Sequence, residues 1–308
     1  MPRYRILSFD GGGVRGVLSA VLLERLCKEF PELVSTSDLI SGTSVGSFLA
    51  LGLAINQSPF DLLQLFSKKN LTNVFQAGIR WPILRPKYSN ARLKKILRAI
   101  FPDQVKLYEI QKHVLVTAFD LSGVTRSNWR PVWFHNYPSS NTNHVNVLDA
   151  ALASAAAPIY FPSYMQLIDG GVFANSPTVA SIAVSVDERY GNRNLDQLVM
   201  LSIGTGAEKL MITQDTSEWG FLQWAFNPPE KQNPGEPNFP LLSVMLNGTT
   251  EANVMYSQSL LGTRFHQINP PLPENVALDD IDAYDLLVET AMNTNINKTI
   301  EFLRKEWY

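Results

Sequence analysis

A short apolar run, Leu39-Ile40, opens into Gly42-Thr43-Ser44-Val45-Gly46, and the apolar stretch Phe48-Leu49-Ala50-Leu51-Gly52-Leu53-Ala54 follows at once. Strand, tight turn and helix in immediate succession is the setting of a nucleophile elbow, in which a serine sits on a strained turn. The constraint is steric: glycine at Gly42 and Gly46 lets the crossing strand and helix approach closely, because it has no Cβ. A helix beginning at Val45 aims its unsatisfied N–H groups and positive dipole end at the serine oxygen. On its own the five-residue pattern also fits an ordinary serine in a glycine-rich turn, so the neighbouring segments have to decide.

The first of them is Tyr4-Arg5-Ile6-Leu7-Ser8-Phe9, a β-type run that leads directly into Asp10-Gly11-Gly12-Gly13-Val14-Arg15-Gly16. Val17, Leu18, Val21, Leu22, Leu26 and Phe30 then recur at helical spacing. Three glycines between a strand and a helix N-terminus form a cradle of backbone donors for a negative group. A dinucleotide is one candidate, but that reading needs a second strand ending in an acid about 20 residues further on. The next strand ends in Ser41-Gly42-Thr43-Ser44, and its one acid, Asp38, lies at the wrong end. An oxyanion hole is the better reading, since consecutive strands usually lie side by side and would bring the loop to the serine.

Further along, His113–Phe119 and Pro131–Phe134 read as strands, and Val147–Ala157 as a helix of small residues ended by Pro158. Leu167-Ile168 runs into Asp169-Gly170-Gly171, an acid at a strand end freed by glycines, where α/β sheets place functional residues. Ser176 is the expected N-cap and Pro177 the first residue of a helix over 178–189. Leu198–Ile203 is another apolar strand, ending in Gly204-Thr205-Gly206. The recurring strand–glycine–helix order predicts an α/β fold with a mainly parallel central sheet and helices on both faces.

Composition narrows the function. With 308 residues, 45% hydrophobic and 18% charged, at net charge −2, the chain has no global basic field for nucleic acid or anionic membrane. No stretch approaches the length of a membrane span, and no signal sequence opens the chain. The lone Cys27 lies in an apolar helix, is expected to be a small core residue, and points to a reducing, cytoplasmic setting. No Cys/His spacing suits zinc, and the acidic cluster Asp279–Asp285 lacks the glycine and glutamate of a calcium loop. That cluster is expected to be the acidic first turn of a helix over 283–306. Two segments stay open: Arg80, Trp81, Arg85, Lys87 and Tyr88 suit a membrane-contacting lid or a partly buried connection, and the proline-rich loop at 227–240 suits a flap.

Together, Asp10–Gly16, Gly42–Gly46, Ala153–Pro158 with Phe161-Pro162, and Asp169–Gly171 resemble the patatin-like phospholipases in order and spacing. The likeness covers residues 4–206, while 207–308 fit more loosely. Val45 and Ser47 depart slightly from the family's usual signature. Where the family often has paired asparagines, this chain has Asn175-Ser176. The resemblance implies a patatin-like three-layer sandwich, one domain over 1–308, and a Ser-Asp dyad that hydrolyses acyl esters of membrane lipids without calcium or another cofactor. Matched motif by motif, Ser44 is the nucleophile and Asp169 its base. Backbone N–H groups of Gly11, Gly12, Gly13 and Val45 form the oxyanion hole, while Arg15, Gly42, Gly46, Gly170 and Gly171 support it. The partner is then a membrane lipid, met by peripheral contact. Some bacterial members of similar length are switched on by cyclic nucleotides, and the basic helix over 89–100 is the feature that resembles them.

Three other readings use the same residues. An acyltransferase would pass the acyl group from Ser44 to an alcohol instead of water. An α/β-hydrolase triad would take Ser44, Asp169 and His266 in that chain order. A lipid- or nucleotide-binding module would use the glycine cradle without turnover.

Overall fold

The computed structural model describes residues 2–76, 85–122, 128–227 and 235–308. Among the described residues, seven strands form one sheet: β1 (Tyr4–Phe9), β2 (Leu39–Thr43), β3 (His113–Asp120), β4 (Arg130–His135), β5 (Leu167–Asp169), β6 (Leu198–Ile203) and β7 (Phe265–Ile268). The order is β4-β3-β2-β1-β6-β7, with β5 also paired to β3. The run β3-β2-β1-β6-β7 is parallel throughout, and only β4 and β5 run against β3. The mainly parallel sheet expected from the sequence is therefore present.

Alternation along each strand sorts the core into two layers. Leu7, Phe9, Ile40, Val199 and Leu201 pack into one apolar cluster, which reaches as far as Trp307. Tyr4, Ile6, Leu39, Leu198 and Met200 face the other way, into a second cluster with Ile182 and Val184. The first layer holds α1 (Gly16–Glu29), α2 (Val45–Ala54), α3 (Pro59–Leu65), α4 (Lys68–Val74), α5 (Asn90–Leu97) and α6 (Val147–Ser154). The second holds α7 (Thr178–Val186). Two later helices, α8 (Pro240–Leu261) and α9 (Tyr284–Asn293), come from the C-terminal third, which also contributes β7.

Several boundaries differ from expectation. α6 stops at Ser154, and residues 155–157 form a turn before Pro158, because a residue next to proline is driven from helical geometry and the disturbance spreads back. α7 starts at Thr178 as expected, but Pro177 rather than Ser176 is its N-cap, and it ends at Val186, short of Arg189. The helix expected over 283–306 is broken: α9 ends at Asn293, and a second helix covers Asn297–Phe302. The break falls in Asn293-Thr294-Asn295, whose short polar side chains compete for backbone groups; Asn295 Oδ1 accepts from the Asn297 N–H at 2.9 Å. Of the acidic cluster, only Asp285 lies in the first turn of α9. Asp279 is instead half-buried, paired with the Lys87 ammonium and the Tyr88 hydroxyl, so this part of the aromatic and basic stretch is a partly buried connection. Arg80 and Trp81 lie outside the described residues, as do Pro228, Pro229 and Pro234 of the proline-rich loop. Cys27 is half-buried at the margin of the core.

Three cations of the basic segment around α5 are engaged internally. Arg98 pairs with Asp103 at 2.8 Å, Arg92 donates to the Gln76 carbonyl at 2.9 Å, and Lys94 to the Tyr164 hydroxyl at 3.3 Å. No helix among the described residues is long and apolar enough to cross a membrane.

Candidate active site

β1 has β2 on one side and β6 on the other, so connections leave it in opposite directions along the sheet. The crevice outside the carboxyl ends of the strands at such a switch point is where open α/β sheets hold ligands. Ser44 follows β2 directly, the loop Asp10–Gly16 follows β1, and Asp169 ends β5.

β3 is the ruler that brings the serine and the acid together. Along one edge it pairs first with β2, up to Thr43 opposite Thr117, and then with β5, where Asp169 lies opposite Ala118. The two strands thus meet end to end on adjacent residues of β3. Thr43 Oγ1 and Thr117 Oγ1 share a hydrogen bond of 2.7 Å at the junction.

Ser44 has φ 53° and ψ −126°, the sharp turn that the elbow needs and a conformation few non-glycine residues adopt. A Cβ on Gly42 would lie 2.2 Å from the Gly46 carbonyl oxygen, and one on Gly46 would lie 2.5 Å from that of Phe9. Strand, helix and β1 therefore pack as closely as the sequence pattern requires. The Ser44 N–H is held by Ser154 Oγ at 2.8 Å, a contact made by the last residue of α6. Sequence reading missed Ser154, although a lone hydroxyl in a helix of small apolar residues signals a partner elsewhere.

Asp169 is almost fully buried. Burial pushes its carboxyl up to about 7, against the opposing effect of hydrogen bonds from the Ser44 hydroxyl and the Gly171 N–H. The Gly171 bond, to Oδ1, is 2.7 Å long. Desolvation thus outweighs the hydrogen bonds that favour the anion, and the group titrates near neutrality. A carboxylate in that range, next to a serine hydroxyl, can take the serine proton as the oxygen attacks.

The glycine loop divides its donors. The Gly11 N–H is engaged by the Asn175 carbonyl at 2.9 Å, so it is turned away from the role expected of it. Gly12, Gly13 and Val45 line the same cavity as Ser44 and Asp169, and no intramolecular hydrogen bond is made by their N–H groups among the described residues. Gly13 has φ +58°, and a Cβ there would stand 2.1 Å from the Leu278 carbonyl oxygen. That same oxygen accepts the Val14 N–H at 2.8 Å. Asn175 braces the loop further: its side-chain amide donates to Thr250 Oγ1 on α8 at 2.7 Å. Arg15 lies behind the loop, reaches the Gly12 carbonyl at 3.4 Å, and forms a buried ion pair with Glu208. Leu278, Thr250 and Glu208 all come from the C-terminal third and carry no local motif, so nothing in the sequence singled them out. Asp10 is buried too, with its carboxyl pushed up to about 7 by desolvation and held by Gln267 at 3.0 Å.

The cavity beyond Ser44 is walled by Phe48, Leu71, Phe75, Ile96, Phe161 and Leu246, among other apolar side chains. None of the four histidines hydrogen-bonds to Ser44 or Asp169. His266 lies on β7, separated from β2 by β1 and β6, and pairs with Thr299 at 2.9 Å. The triad reading therefore fails on geometry. His113 and His135 pack around Tyr137, away from the strand ends that carry the site.

Comparison with known proteins gives a match of residues 7–182 to the family model described as patatin-like phospholipase. CotR of Bacillus subtilis, named as a candidate sporulation hydrolase, is 34% identical over all of this chain and 99% of its own length. The teg protein of Priestia megaterium is 33% identical over the full length of both chains. A cGAMP-activated phospholipase of Escherichia coli is 30% identical over 67% of this chain and 63% of its own.

Proposed function

This chain belongs to the patatin-like phospholipase family, and on that premise we propose that it is a lipid acyl hydrolase with Ser44 as nucleophile and Asp169 as general base. The observation that carries the reading is Ser44 sharing an apolar cavity with Asp169, a buried carboxyl pushed up to about 7 by desolvation and acted on by the Ser44 hydroxyl. As Ser44 Oγ attacks the ester carbonyl carbon, its proton passes to Asp169 and the carbonyl electrons move onto oxygen. The N–H groups of Gly12, Gly13 and Val45 donate hydrogen bonds to that oxyanion, and losing one such donor typically costs about 3 kcal/mol of transition-state stabilisation. Collapse expels the lipid alkoxide, which takes the proton back from Asp169 and leaves an acyl group on Ser44. Water then attacks the acyl group, its proton going to Asp169; collapse breaks the bond to Ser44 Oγ, which takes that proton back from Asp169, and the fatty acid leaves. The apolar walls suit the acyl chain, since each methylene left in water costs about 0.8 kcal/mol.

The deciding experiment is fatty-acid release from liposomes of mixed phospholipids and galactolipids, read by mass spectrometry, beside labelling by a fluorophosphonate. Release and labelling are expected from the native chain and from neither Ser44→Ala nor a heat-unfolded sample. Labelling at a residue other than Ser44, or release that survives Ser44→Ala, overturns the assignment.

A further inference from the structure

α8 is 22 residues long, and Glu251 is the only charged residue in its sequence. Its first half is two-sided. Leu242 and Leu246 line the catalytic cavity, whereas Leu241, Val244 and Met245 are 52%, 53% and 40% exposed on the outward side. A short helix, Phe221–Ala225, packs against α8 and adds Phe221 and Leu222, the most exposed large apolar side chains among the described residues at 84% and 76%. Soluble proteins scatter exposed apolar residues singly, so five on two touching helices form a surface that calls for an occupant.

The occupant is indicated by where the patch leads. Phe226, half-exposed at the end of the short helix, packs its ring 5.7 Å from that of Phe239. Phe239 in turn lies 6.2 Å from Tyr160, which lines the cavity. Apolar side chains therefore run from the outer surface to the chamber holding Ser44, along both the ring series and the two sides of α8. A protein partner could cover the patch, but it would not need that connection. An acyl chain would, because it moves from a bilayer to the serine without crossing water only if the apolar rim is itself immersed.

We infer that the outer face of α8's first half, with Phe221 and Leu222, is the surface by which this chain docks on a lipid bilayer, delivering acyl chains to the adjoining cavity. The inference rests on the lipid-hydrolase reading, and it transfers the membrane contact from the aromatic and basic stretch near Lys87 to a different part of the chain. α8 also holds the machinery it would serve: Thr250 accepts the Asn175 amide that braces the glycine loop.

The test separates docking from chemistry. Two variants, Phe221→Asp with Leu222→Asp and Leu241→Asp with Val244→Asp, are made both in the native chain and in Ser44→Ala. In the alanine background, flotation with phosphatidylcholine vesicles is expected to show at least a tenfold loss of partitioning for each pair. In the native background, hydrolysis of a soluble short-chain ester is expected to stay within twofold of the parent. Vesicle partitioning unchanged by both pairs overturns the inference, and so does a parent that fails to bind vesicles. A change of sedimentation from dimer to monomer with partitioning unaltered also overturns it, since the patch would then join two copies. Phe221→Ser with Leu222→Ser replaces an aspartate pair that unfolds. Failure of the hydrolase reading would appear separately, as absence of fluorophosphonate labelling at Ser44.

Discussion

A carboxyl held near pH 7 is useful as a base and costly to the fold. The folded chain keeps a proton on Asp169 up to about pH 7, while the unfolded chain releases it near the ordinary value of 3.8. Between those values the folded state binds more protons, so stability falls as pH rises, and the whole cost is present above pH 7. Asp169→Asn is expected to remove that cost. Thermal melts should place the variant about 5 °C above the native chain at pH 8 and level with it near pH 4. The same variant should show no turnover, and the native chain's kcat/KM on a soluble ester should drop about tenfold per pH unit below 7. A variant melting below the native chain at pH 8, or one that still turns over, contradicts the role given to Asp169. At this scale the sequence was largely readable. Ser44 and Asp169 announced themselves by the glycines around them, because sharp turns and close approach demand that residue. Ser154 and Asn175 did not, because a single hydroxyl or amide has no pattern until the fold supplies its partner.

Among the elements, β1, β2 and α1 were legible because apolar periodicity and glycine turns agree in each. α8 was not. Gly248, Thr249 and Thr250 dilute its helical propensity in mid-course, and its apolar residues follow no single stripe because one side meets the cavity and another the solvent. The glycine loop and α8 give opposite expectations for the same substitution. Gly13→Ala must carry a Cβ against the Leu278 oxygen at positive φ, so the loop has to move and its donors with it. Hydrolysis should fall at least 100-fold, matching the loss of an oxyanion donor. Gly248→Ala meets nothing within 4 Å and exchanges a poor helix former for a good one. It should gain about 1 kcal/mol in urea unfolding with activity unchanged. Equal tolerance at the two sites would show that the glycine loop does not depend on the Leu278 contact.

Across the whole molecule, the C-terminal third serves as a brace for a site whose motifs all lie in front of it. Leu278 fixes the glycine loop, Gln267 holds Asp10, and Glu208 neutralises Arg15 with both side chains of that pair less than 10% exposed. Glu208→Gln would leave a buried guanidinium without its counter-charge. A loss of about 3–5 kcal/mol in the urea midpoint analysis is expected, together with weakened turnover. Unchanged stability would mean that Arg15 finds another partner or water. This division of labour explains why the fold class and the catalytic candidates could be read from residues 4–206, while the brace could not: its contacts are single atoms contributed across long sequence separations.

The end-to-end meeting of β2 and β5 on β3 has a consequence for how such a chain can change. The two strands meet one residue of strand pitch apart, about 3.4 Å along β3, from Thr117 opposite Thr43 to Ala118 opposite Asp169. Most of the chain between Ser44 and β3, and between β3 and β5, takes no part in that register, apart from Ser154, which holds the Ser44 N–H. Insertions there can reshape the cavity walls, its rim or its access while Thr43 and Asp169 keep their places on β3. A single residue added or lost within β3 between Thr117 and Ala118 would instead put serine and acid out of step. Cavity shape and the register of the site are thus written on different stretches of the chain, and one can drift while the other stands still.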